Sequence, residues 1–187
     1  MKFIIGRKLQ MTQLFDDDGV VQPVTVISLE PLNVSLLRSE EKDGYSAVQV
    51  SYPQSKKQAG HREFRGDTSD YEMNQAISGT DVFGPGDVVR VSAQAKGKGF
   101  QGVVRRHGFH GGPRSHGQKH NERQPGSIGS GLRSRVPKGT RMAGRTGGQQ
   151  VTIKGTRVIS VDKERGLLLL HGSIPGRRGT LVTVQGV

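Results

Sequence analysis

The 187-residue sequence contains no cysteine, which excludes a disulfide scaffold, a thiolate metal site and a cysteine nucleophile. Long apolar runs are missing too. The longest uninterrupted one is Leu167–Leu170, against the ~20 residues that a membrane span requires. The opening Met1-Lys2-Phe3-Ile4-Ile5-Gly6-Arg7 has too short an apolar stretch for a signal peptide. The chain therefore reads as soluble and intracellular, with no membrane partner, and its length suits one domain with an appendage. Acid is scarce: 16 Asp plus Glu stand against 28 Lys plus Arg, a formal net charge of +12. Such a surplus points to a polyanionic partner, with nucleic acid ahead of a membrane surface.

The surplus is not spread evenly. Residues 1–95 carry 10 basic and 13 acidic side chains, a net −3. Residues 96–148 carry 12 basic and one acidic (Glu122), a net +11, and residues 149–187 a net +4. The middle 53 residues also hold 14 of the 28 glycines and four of the six histidines. Only nine of those 53 are apolar, against 50 of the other 134. Nine apolar side chains are too few to offset the entropy of ordering such a stretch. The expected organisation is a discontinuous body, 1–97 with 146–187, interrupted by an extended loop over 98–145.

The body reads as β. Val20–Ser28 is rich in β-branched residues and follows a turn at Asp17-Asp18-Gly19, while Tyr45–Tyr52 alternates after Asp43-Gly44. Val88–Val91, Val151–Ile153, Val158–Val161, Leu167–His171 and Leu181–Val184 continue the series. Short strands punctuated by Gly, Asp and Pro predict a small barrel or sandwich with little helix. The best helix signal is Asp70–Ile77, with Ser69 or Asp70 as N-cap.

Gly97-Lys98-Gly99-Phe100-Gln101-Gly102 matches the phosphate-loop pattern GxGxxG after a predicted strand. That fingerprint needs a helix next, and Arg105–Pro113, with Gly108, Gly111 and Gly112, is expected not to form one. A nucleotide-dependent enzyme is therefore the weaker reading. The better one is a thin backbone pressed against phosphates, with Lys96 and Lys98 supplying charge. His107, His110, His116 and His120 could suggest a metal, but a site needs a third ligand and supporting partners. Histidines in a basic loop more often stack on bases or bond to phosphate, the role assigned to His107 and His116. No nucleophile, base and orienting acid fall together, so no catalytic residues are assigned.

The basic side chains are the strong signal. Arg105, Arg106, Arg114, Lys119, Arg123, Arg133, Arg135, Lys138, Arg141 and Arg145 are strung along the loop, and eight of the ten are Arg, whose planar fork binds phosphate bidentately. Phe100 and Phe109 add two stacking surfaces. RNA is favoured over DNA, because no helix here could fill a major groove. A free-standing RNA chaperone or nucleoid protein shares these features.

At these residues the sequence resembles a known family. Gly97–Phe109, Ser115-His116-Gly117, Pro125–Gly129 and Lys138–Gly144 are similar to the signature regions of the universal ribosomal large-subunit protein three family, in its bacterial form. Ile5–Phe15 resembles the family's opening and Gly172–Gly176 its closing region, so the likeness runs through the whole chain. The resemblance implies a β-barrel body and a long basic Gly-rich loop that runs through large-subunit (23S-type) rRNA. Near the peptidyl transferase centre would lie Gly126, Ser127, Ile128, Gly129, Ser130, Gly131 and Leu132. It further implies early assembly, large-subunit proteins fourteen and nineteen as neighbours, a cytoplasmic ribosomal location, and no cofactor, metal, small-molecule substrate or catalysis. Where some relatives carry a methylated glutamine after Gly129, this chain has Ser130–Arg135 without one, so that modification is not carried over.

Overall fold

A computed structural model describes residues 1–16, 18–55, 58–132 and 134–187. They divide into two compact units, Met1–Ala95 with Gln150–Val187, and Lys96–Gln149. The structure is mainly β. Its first unit contains β1 (Phe3–Phe15), β2 (Val21–Leu29), β3 (Leu32–Arg38), β4 (Ala47–Ser55), β5 (Gln58–Arg65), β6 (Ala76–Ile77) and β7 (Val88–Gln94). Later in the chain come β8 (Phe100–Gln101) and β9 (Gly144–Arg145), both in the second unit, and then β10 (Gln150–Asp162), β11 (Leu167–His171) and β12 (Leu181–Gly186). The described helices are α1 (Glu40–Asp43) and α2 (Val103–His107).

Six strands close on themselves in the order β1-β12-β7-β10-β11-β2, forming a closed barrel in which every pairing is antiparallel. A ring of six strands has a narrow interior, and its filling is accordingly mostly aliphatic. Ile4, Ile27, Val89, Val91, Ala93, Val158, Leu168, Leu170, Val182 and Val184 are buried there together with Phe83 and Ile174. Long strands bend to complete the ring at bulges. The register of β10 shifts between Ile153 and Thr156, where Gly155 adopts φ +78°, a conformation strained for other residues.

β1 serves two cores at once. Phe3, Ile4 and Ile5 are all fully buried, which an alternating strand achieves only when both faces are covered. Ile4 faces the ring interior, while Phe3 and Ile5 join Leu32, Val34, Val48, Val50, Tyr52 and Phe64 in a second cluster. This cluster lies on a four-stranded sheet of order β5-β4-β3-β6, where the Phe3 and Phe64 rings stack at 4.2 Å. One step along, a Cβ on Gly6 would meet Ile27 Cγ2 and the Ser28 carbonyl oxygen at 2.5 Å each. Glycine is required there for β1 and β2 to approach.

Two sequence expectations fail here, for physical reasons. Asp70–Ile77 is not helical: Asn74 has φ +63°, and Ala76–Ile77 pairs with Leu32–Asn33 as β6. Tyr71 donates its hydroxyl hydrogen bond to the Met1 carbonyl and lays its ring 5.3 Å from that of Phe3. Edge pairing and aromatic burial thus override a weak local propensity. Val151–Ile153 and Val158–Val161, read as two strands, are parts of the single bulged β10.

A polar network braces the second sheet. Arg38 on β3 donates from Nε to Glu63 Oε1 on β5 at 2.9 Å and from Nη1 to Asp43 Oδ1 at 2.6 Å. Tyr45 donates to the other Glu63 oxygen at 3.0 Å. The hydrogen bond from Arg38, then that from Tyr45, holds the Glu63 carboxyl below its ordinary range. A lowered carboxylate pKa contributes stability above the unfolded value, and that contribution is lost as pH falls through the folded one. The urea midpoint of the protein should therefore fall between about pH 5 and pH 3, and Glu63→Gln should flatten part of that fall. An unchanged pH profile in the variant would show that this network does not couple to folding.

Candidate nucleic-acid interface

Lys96–Gln149 forms the second unit, and Val103 is the one buried side chain among its described residues. What shapes it is mostly backbone. Lys98 N–H donates to Thr146 O, and Thr146 N–H to Gly99 O, each at 2.9 Å. Next to them Phe100 and Gln101 pair with Arg145 and Gly144. The two ends of the segment are thereby joined to each other.

Immediately after β8 the chain does form a helix, against expectation. α2 is five residues long, starts after Gly102 and ends at Gly108, which has φ +74° and whose N–H caps Val104 O. Arg105, Arg106 and His107 occupy its last turn, where positive charge suits the helix dipole. The phosphate-loop reading is not restored, because a dinucleotide fold needs a parallel βαβ unit, whereas β8 pairs antiparallel with the two-residue β9.

Two of the singled-out cations are already engaged. Arg106 Nη1 donates to Met142 O at 2.7 Å, beside His107 Nε2 at 3.0 Å from the same carbonyl. A carbonyl oxygen can only accept, so this contact requires His107 protonated at Nε2. Arg114 meets Glu122 at 2.7 Å, so the segment's single acid is neutralised within it. That ion pair spans a turn in which His116 and His120 adopt φ +60° and +61°, and Gly112 N–H donates to Asn121 O at 3.0 Å.

The remaining cations face outward. Lys96, Lys98, Arg105, Lys119, Arg123, Arg135, Lys138, Arg141 and Arg145 are exposed, and none forms an ion pair with a described residue. Arg133 lies outside the described residues. Of the glycine-rich stretch Gly126–Leu132, all residues are exposed, Ser127 donates to Gly129 O at 2.8 Å, and Leu132 is 99% exposed. Among the described residues no three His, Asp or Glu side chains gather as a metal site would require.

Sequence reasoning overlooked Gln118 and Asn121, whose side chains join by an Asn121 Nδ2 to Gln118 Oε1 hydrogen bond of 2.7 Å. Their i, i+3 spacing on either side of His120 was the available signal. Together these features define a coreless segment, closed at its ends and cationic over its surface, whose chemistry suits a polyanion. Comparison with known proteins gives the class a family. Residues 56–167 match the model of the family described as Ribosomal protein L3, and the chain belongs to that family. It is 43% identical over 204 aligned positions to proteins named large ribosomal subunit protein uL3 from Bacillus thuringiensis (strain Al Hakam) and Bacillus cereus (strain B4264). The same holds for that of Bacillus anthracis (strain CDC 684 / NRRL 3495), and each alignment covers 99% of this chain and 96% of the relative.

Proposed function

We propose that this protein is a structural constituent of the large ribosomal subunit in the cytoplasmic ribosome, without catalysis of its own, that binds 23S-type rRNA directly. One observation carries the reading: Lys96–Gln149 exposes nine unpaired described cations around a single buried side chain. Fully burying one valine contributes about 1.5–3 kcal/mol, whereas ordering backbone costs roughly 1–2 kcal/mol per residue. A segment so built gains its order from what it binds, and phosphate is the ligand its charges suit. Residues 98–145 thread between rRNA helices, and the body, 1–97 with 146–187, docks on the rRNA surface.

Within that reading Gly126–Leu132 points towards the peptidyl transferase centre, where the uncharged run from Gly126 to Leu132 could pass close to RNA backbone. Proteins fourteen and nineteen are the expected neighbours, and docking occurs early in assembly. Sedimentation of a cell lysate tests the assignment. The protein should travel with the large subunit and stay there through moderate salt washes. Recovery in the free-protein fraction, or on DNA, would instead favour a free-standing RNA chaperone or nucleoid protein.

A further inference from the structure

Within the second unit lies a cavity of about 670 Å³, lined among others by His107, Phe109, His110, Gln118, Asn121 and Arg141. Its volume falls in the range of small-ligand pockets. Its walls differ from the cationic surface around it. On one side the His107 and Phe109 rings stand 5.9 Å apart, tilted by 47°, and His107 is fixed by its bond to Met142 O. On another side the Gln118–Asn121 hydrogen bond holds two amides in one arrangement. That bond uses Asn121 Nδ2 and Gln118 Oε1, leaving Asn121 Oδ1 as an acceptor and Gln118 Nε2 as a donor. No described side chain takes up either atom. The neighbouring carboxylate, Glu122, is bound to Arg114, so no free negative charge faces an incoming nucleotide.

We propose that this cavity receives one unstacked nucleotide of RNA. The base lies on the Phe109 and His107 rings, its edge reads the donor of Gln118 and the acceptor of Asn121, and Arg141 meets the phosphate. Single-stranded bases are recognised in this manner, by stacking on aromatic rings and bonding to amides. Gln118 is exposed and Asn121 half-buried, so this donor and this acceptor stand open to an incoming base edge. The inference rests on the rRNA reading above and deepens it. Most contacts of the segment are then indifferent to sequence, and this one is not.

The test measures binding of the full chain to a large-subunit rRNA transcript across a salt series. Phe109→Ala should weaken binding roughly 5- to 100-fold, the range of a lost base-stacking contact, and Asn121→Ala by a similar factor through the base-edge hydrogen bond it leaves unmade, both with the salt slope unchanged. Arg123→Ala, outside the cavity, should instead lower the slope by about one. A second measurement needs no variant. Ultraviolet irradiation of intact large subunits should leave a nucleotide adduct on Phe109 or His110. Folded variants that bind like the parent chain overturn the proposal. So does the absence of an adduct at 107–114 in subunits that yield adducts elsewhere on the segment. If the parent chain itself fails to bind rRNA, the underlying reading fails as well, a result distinct from both.

Discussion

Raising salt from 50 to 200 mM should weaken binding of the isolated chain to rRNA by roughly 10³–10⁵, on the duplex calibration for 6–10 neutralised phosphates. The structure justifies the choice of range. Nine described cations of the second unit are exposed and make no ion pair, whereas Arg114 is already neutralised by Glu122. Each exposed cation that meets a phosphate releases condensed counterions, and that release is what salt opposes. Single-stranded contacts give a shallower slope, so the lower end of the range applies if the segment meets mostly loops. A filter-binding or fluorescence titration at four or five salt concentrations measures the slope directly. A flat response would rule out phosphate-dominated binding.

Deleting residues 100–145 and bridging Gly99 to Thr146 with a short Gly/Ser linker should abolish most rRNA affinity while leaving a folded protein. Both core clusters consist only of residues from Met1–Ala95 and Gln150–Val187. The ends to be joined are already neighbours, since Thr146 N–H donates to Gly99 O at 2.9 Å. A linker of a few residues spans that gap without strain, and shortening a loop costs little in closure entropy. Circular dichroism should keep its β signature, and the cooperative unfolding transition should shift little. Loss of that signature would mean that the deleted segment supports the cores.

Several strands showed themselves in the sequence where one face is apolar and the flanks are turns, although β3 (Leu32–Arg38), with Leu32 and Val34 buried, did not. The expected Val88–Val91, Leu167–His171 and Leu181–Val184 fall within β7, β11 and β12. β1 was not read, because Phe3-Ile4-Ile5 does not alternate. Its continuous burial follows from covering on both faces, which no local pattern reports. β5 was hidden for the opposite reason: Gly60 and Phe64 are its buried residues, set among His61, Arg62 and Glu63. The concentration of charge in the middle of the chain was legible by counting. Which charges are spent within the segment was not. Arg106 and Met142 are 36 residues apart, and α2 forms in five residues between glycines where the composition argued against any helix.

The pairing of β1 with β12 has a consequence for how the protein is made. Phe3 lies opposite Gln185, and Arg7 opposite Leu181, so β1 waits for a strand made long after it. Chains grow at about 5–20 residues per second, so β1 keeps one edge open for roughly ten to forty seconds. An unpaired edge is a template for pairing with other chains. Lys2, Arg7 and Lys8 sit at or beside that edge, and charge there, lysine above all, is what discourages such pairing. The same few residues that close the ring in the finished protein thus guard the nascent one.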